Sequence, residues 1–133
     1  MRVIIDANVA IAAAAARGLC EAVIELCMEQ HQIIFGEEIL KDIRQKLVKK
    51  IKVPPAVVNE YLSTLRSISE IYKPEAVAAG VCRDPDDDAV LGLVAPANAA
   101  VIITGDNDLL VLKKYKSAKI LSPRQFWEQS KAI

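Results

Sequence analysis

Carboxylates follow apolar, strand-like runs at three separated places in this chain. RVII leads into Asp6, the segment RDPDDD supplies Asp84, Asp86, Asp87 and Asp88, and VIITGDND supplies Asp106 and Asp108 behind Thr104. In a parallel α/β sheet the C-terminal ends of the strands share one edge, where such folds place their ligands. Acids gathered there repel one another, by roughly 4 kcal/mol for two unit charges about 4 Å apart at an effective dielectric of 20. A divalent cation would relieve that repulsion, and hard oxygen donors suit Mg²⁺ or Mn²⁺.

Each acid taken alone has a simpler explanation. Aspartate is a favoured N-cap, proline a favoured first helical residue, and acids in a first turn complement the helix dipole. Asp84-Pro85-Asp86-Asp87 fits that pattern without any chemistry. Taken together they are harder to dismiss. Asp87 precedes Val90, Leu91 and Val94 by three, four and seven residues, which puts it on the buried stripe of the following helix. Caps do not need to face inward; ligands of a shared cation do.

The elements that must position these acids can be read coarsely. Val3–Ile5 is a short, continuous apolar run of the kind that forms a buried parallel strand, and Gln32–Phe35, Val101–Ile103 and Lys119–Leu121 read as further strands. Between them lie helical patterns. One runs from Asp6 through the alanines, and a second carries Ala22, Val23, Leu26 and Cys27. A third, from Glu37, aligns Ile39, Ile43 and Leu47. Pro54 and Pro55 open a long amphipathic helix expected to reach about Tyr72, and Asp84-Pro85 opens another that Pro96 ends. A short helix over Leu109–Leu112 and a terminal one over Pro123–Lys131 complete the pattern. Strands alternating with helices predict a three-layer α/β/α sandwich around a parallel sheet of about four to five strands, as one domain over residues 1–133.

Bulk properties narrow the partners. Lys+Arg and Asp+Glu both number 17, so the basic excess of a duplex-coating protein is missing. Hydrophobic residues at 53% and charged ones at 26% give an ordinary globular balance. Cys20, Cys27 and Cys82 lack paired ligand spacing and read as reduced, mostly buried thiols. No signal segment opens the chain, and no apolar run approaches the ~18 residues of a membrane span, so a cytoplasmic location is expected.

The succession DANV, EEILKDI, RDPDDDAVL, ITGDNDLLVL and ILSPRQFW resembles the PIN domain nucleases, in particular the small stand-alone PIN proteins related to VapC-type toxins. The likeness runs from Met1 to about Trp127, with RDPDDD and TGDxDLL its most specific part. It implies a parallel sheet between helices and three or four acids holding Mg²⁺ or Mn²⁺ for RNA cleavage. By position the first acid is Asp6, with Asn8 beside it. The second is Asp42, or Glu38 one turn earlier. The third is Asp87 or Asp88, and the fourth is Asp106, supported by Thr104 and Asp108. Ala7 stands where the family usually has threonine, Gly36 where it has serine, and Asp42 where it has glutamate. These changes remove two hydroxyls and shorten one reach to the metal.

The resemblance further implies an RNA substrate and a small antitoxin protein as partner, with a second copy of the chain as another. Lys46 and Arg83 are candidates for steering the RNA backbone; the plainer view of Lys46, Lys49, Lys50 and Lys52 is a solvated helix end. Other readings of the same residues are a haloacid-dehalogenase-like phosphatase and a catalytically silent partner-binding domain. The phosphatase would need a second aspartate two residues after Asp6, where Asn8 stands. A receiver domain would need adjacent acids after the first strand, and they are absent.

Overall fold

A computed structural model describes residues 1–131. Four short, mostly apolar strands form the centre of the sheet: β1 (Arg2–Ile5), β2 (Gln32–Phe35), β4 (Val101–Ile103) and β6 (Ala118–Leu121). Two edge strands, β3 (Ser69–Ile71) and β5 (Lys114–Tyr115), complete the order β3-β2-β1-β4-β6-β5. The sheet therefore has six strands where four to five were expected. All pair in parallel except β5, which runs against β6.

Val3, Ile4 and Ile5 are all wholly buried, although consecutive strand residues face opposite sides of a sheet. Both faces must be covered. The cover consists of α1 (Ala7–Ala15), α2 (Leu19–Gln30), α3 (Glu37–Lys49), α4 (Pro55–Ser67) and α8 (Pro123–Lys131). This is the three-layer sandwich the alternating pattern implies. Ile39, Ile43 and Leu47 of α3 point inward as the stripe predicts, and Phe126 anchors α8 in the core.

The long helix expected to reach Tyr72 stops at Ser67. Ile68 closes it, and Ser69, Glu70 and Ile71 pair with Ile33, Ile34 and Phe35 as an added parallel strand. Leu65, Ile68 and Ile71 sit at spacings that serve both a helix and this break, so periodicity alone could not separate the two. The segment opened by Asp84-Pro85 is also more broken than expected. It is a 3-10 turn over Pro85–Asp87, a helical turn α5 (Asp88–Leu91) and another, α6 (Val94–Ala97). The chain leaves α6 through Asn98 in the left-handed region, at φ 51°. A last helical turn, α7 (Asn107–Leu110), begins two residues earlier than the pattern suggested. Lys113 and Lys116, with φ of 64° and 49°, shape the hairpin of β5 and β6; neither is a residue that announces such a turn.

The stretch between β3 and the 3-10 turn forms a strap with no regular structure. It is fastened by the Glu75 amide donating to the Gly92 carbonyl at 2.8 Å and by Lys116 paired with Glu75 at 2.7 Å. Gly92 allows this close passage, because a Cβ there would run into the Glu75 carbonyl and the Pro74 ring. Among the described residues no helix is long and apolar enough to cross a membrane.

Candidate metal centre

β1 and β4 are neighbours, yet the connection from β1 leads away to β2 on its other side. This is a topological switch point, where adjacent loops diverge and leave a crevice beyond the strand ends. Asp6 lies immediately after β1, and Thr104, Gly105 and Asp106 lie immediately after β4. The Asp6 amide donates to the Ile103 carbonyl at 2.9 Å, so the two strand ends are locked side by side.

Hydrogen bonds then orient the acids. The wholly buried Thr104 hydroxyl donates to Asp6 Oδ2 at 2.7 Å and accepts from the Asp106 amide at 2.9 Å. Asn8 gives its Nδ2 to Asp6 Oδ2 at 3.2 Å and takes the Gly105 amide on Oδ1 at 3.0 Å. Of the three residues given supporting places by position, Thr104 and Asn8 bridge β1 to β4, while the Asp108 amide donates to Asp106 Oδ1 at 2.9 Å. Replacing Thr104 with valine keeps the shape and deletes the bridge. The expected cost is about 1–3 kcal/mol in urea unfolding and about 10- to 100-fold in Mn²⁺ affinity, with Thr104→Ser close to the wild type in both.

Capping and clustering coexist. Asp6 caps α1 by accepting the Ala7 amide on Oδ1 at 2.7 Å, Asp84 caps the 3-10 turn, and Asp106 caps α7. With the bonds from Thr104 and Asn8, Asp6 accepts three hydrogen bonds. A carboxylate has about four acceptor sites, so Oδ1 keeps one for a ligand.

The acids meet in a cleft of about 760 Å³. Asp6, Asp42, Asp87, Asp88 and Asp106 all line it, with the strap over residues 74–77 as one wall. Asp6 and Asp87 are only 7% and 9% exposed. Burial pushes the Asp87 carboxyl up to about 7, helped by a hydrogen bond with Asp106 and by repulsion from Asp106 and Asp6. Asp6 is raised as well, first by burial and then by repulsion from Asp106 and Asp42, against the opposing pull of Thr104 and the Ala7 amide. Such mutual repulsion among half-dry carboxylates is what a bound cation relieves.

The ambiguous positions separate physically. Asp87 is buried and raised by the neighbouring Asp106 and Asp6, whereas Asp88 is half-buried at the start of α5. Asp42 is half-buried and near enough to influence Asp6; Glu38, one turn earlier, lines the cleft but is exposed. Lys46 lines the cleft too, bonded to Asp42 Oδ2 at 3.1 Å. Arg83, expected beside the acids as an RNA-steering group, is exposed and is not part of the cleft lining.

Two features escaped the sequence reading. Carboxylate oxygens of Asp84, Asp87 and Asp108 lie within 4.8 Å of one another, giving Asp87 a second set of acidic neighbours. The buried Cys82 thiol, read only as a small apolar group, lies 3.6 Å from Asp87 Oδ2 and 3.5 Å from the Asp108 carbonyl. Its place two residues before Asp84 was the only available hint.

Comparison with known proteins agrees with this geometry. A protein of Methanocaldococcus jannaschii, the uncharacterized protein MJ1680, is 32% identical over 144 residues, covering 97% of this chain and 91% of that protein. The solved structure of VapBC2 from Rickettsia felis bound to a DNA fragment from their promoter matches with a TM-score of 0.64 at 14% identity. It covers 92% of this chain and 98% of the matched one, a likeness of fold. The model of the PIN domain matches residues 2–108, a span that includes Asp6, Asp42, Asp87, Asp88, Asp106 and Asp108. With sheet order, switch-point acids and family model in agreement, the chain belongs to the PIN domain family, whose members are generally nucleases.

Proposed function

We propose that this chain is a Mg²⁺- or Mn²⁺-dependent endoribonuclease over residues 1–133, acting in the cytoplasm as the toxin of a toxin–antitoxin pair. The observation that carries the reading is the convergence of Asp6, Asp87 and Asp106, from segments far apart in sequence, into one cleft at the switch point. The donors are all hard carboxylate oxygens, which fits Mg²⁺ or Mn²⁺ better than a thiophilic metal. Asp6, Asp87 and Asp106 would hold the main ion, with Asp42 completing its surroundings and Asp88 at the margin. Asp87, facing both Asp106 and the Asp84–Asp108 side, is the carboxylate best placed to be shared if a second ion binds.

A cation held there would lower the pKa of a coordinated water and polarise the phosphoryl oxygens of the scissile bond. The chain's own contribution is to orient the ligands through Thr104 and Asn8 and to keep Asp6 largely out of bulk water. The toxin role rests on the likeness to VapBC2, and it brings a small antitoxin protein as the expected partner. A homodimer is the second assembly in this reading.

The test is incubation of unstructured RNA with the protein and Mn²⁺. Internal cleavage that EDTA abolishes is the expected result. Intact RNA at saturating Mn²⁺ would reject the nuclease and favour a silent binding domain.

A further inference from the structure

The cleft carries many carboxylates and few cations. Among its described lining residues the cationic side chains are Lys41 and Lys46. An RNA phosphate approaching this edge therefore meets an acidic rim. Lys46 could offset that rim, yet its ammonium is held by Asp42 at 3.1 Å, one helical turn back along α3. Both partners are 42% exposed, so the pair is within reach of water and of an incoming ligand.

The same carboxylate has two suitors. Asp42 lines the cleft close enough to raise Asp6 by repulsion, which places its charge within the field of the main acids. A cation bound among Asp6, Asp87 and Asp106 would draw the Asp42 carboxylate, in competition with Lys46. Lysine suits a reversible partnership, because its ammonium is a point charge on a flexible stem rather than a fixed bidentate fork.

We propose that Lys46 is a displaceable counter-ion: it neutralises Asp42 while the cleft holds no cation, and it turns to an RNA phosphate once a cation engages Asp42. This rests on the metal-dependent nuclease reading above. Cation binding and substrate binding are thereby coupled through one side chain, so the lysine becomes available to RNA only after the acids have been charge-balanced.

The experiment is a calorimetric Mn²⁺ titration of the full chain and of Lys46→Gln, with Lys49→Gln as a control on the same helix outside the cleft. Exposed ion pairs of this kind are weak, so freeing Asp42 should tighten Mn²⁺ binding by about two- to fivefold. At saturating Mn²⁺ the same variant should lose RNA cleavage efficiency. The slope of log(kcat/KM) against log[salt] should become shallower by about 0.7, as expected for one lost phosphate contact to a single strand. Lys49→Gln should leave the Mn²⁺ affinity unchanged. Equal or weaker Mn²⁺ binding by Lys46→Gln overturns the proposal, as does tighter binding with an unaltered salt slope. If the wild type itself shows no Mn²⁺ binding, the metal-dependent reading fails first, an outcome distinct from failure of the coupling alone.

Discussion

Asp6→Asn and Asp106→Asn should each reduce Mn²⁺-dependent RNA cleavage by about 10³-fold while leaving the fold intact. The size follows from what the ligands support. Electrophilic assistance by a metal is worth several kcal/mol in the transition state, and each 1.36 kcal/mol is about tenfold in rate. The fold should survive because asparagine still caps a helix and still accepts the Ala7 or Asp108 amide. Asp6→Asn relieves repulsion on Asp106 and Asp42 but also removes one of the two oxygens that accept from Ala7, Thr104 and Asn8, so its metal-free melting temperature should fall by a few degrees while the fold persists. Asp88→Asn, at the half-buried margin, should lose less activity than Asp87→Asn. Quantitative cleavage of a labelled single-stranded RNA, paired with thermal melts, checks all of these. Full activity in Asp6→Asn would mean that cleavage came from elsewhere.

The second large effect is on stability and depends on pH. Asp87 titrates near 7 in the folded chain against an ordinary 3.8. Between those values the folded state holds a proton that the unfolded state has released, so metal-free stability must fall as pH rises through this window. Ion-paired Glu37 and Glu70 shift the other way, but their carboxyls lie below the ordinary 4.5 and are settled before pH 5.5. From pH 5.5 to 8 the loss should be on the order of 1–2 kcal/mol after allowing for solvent at the cleft mouth, or roughly 5 °C in melting temperature. His31, lowered by burial and by the nearby amino terminus, contributes with the opposite sign. Comparison with Asp87→Asn cancels it, and that variant should melt above the wild type at pH 8.

Mn²⁺ should reverse the trend. At 100 times its Kd a ligand specific to the folded state adds about 2.7 kcal/mol, roughly 10 °C for a chain of this size. Because the ion competes with the Asp87 proton, the Mn²⁺-induced rise should be larger at pH 8 than at pH 6. An equal rise at both values would mean that Asp87 is not among the ligands.

Much of this was legible in the sequence, for identifiable reasons. Val3–Ile5, Ile33–Phe35 and Val101–Ile103 are continuous apolar runs, as strands buried on both faces require. Asp87 was identifiable as inward-facing from its spacing to Val90, Leu91 and Val94, and it is the buried member of the acidic run. Ser69–Ile71 was not legible, because its partner strand lies far away in the chain and its local pattern continues that of α4. β5 is two residues long and carries no glycine or asparagine at its turn. Strand order is a property of the whole sheet, so the switch point between β1 and β4 became visible only in three dimensions. The same holds for Cys82, whose thiol lies 3.6 Å from Asp87 Oδ2 across the 3-10 turn.

The central claim is that Asp6, Asp87 and Asp106 form one cation-binding centre. Anomalous scattering from a crystal of the wild-type protein equilibrated with saturating Mn²⁺ tests it most directly. A Mn²⁺ peak in contact with these three carboxylates is the predicted result. An empty cleft, or a peak that touches none of them, would contradict it.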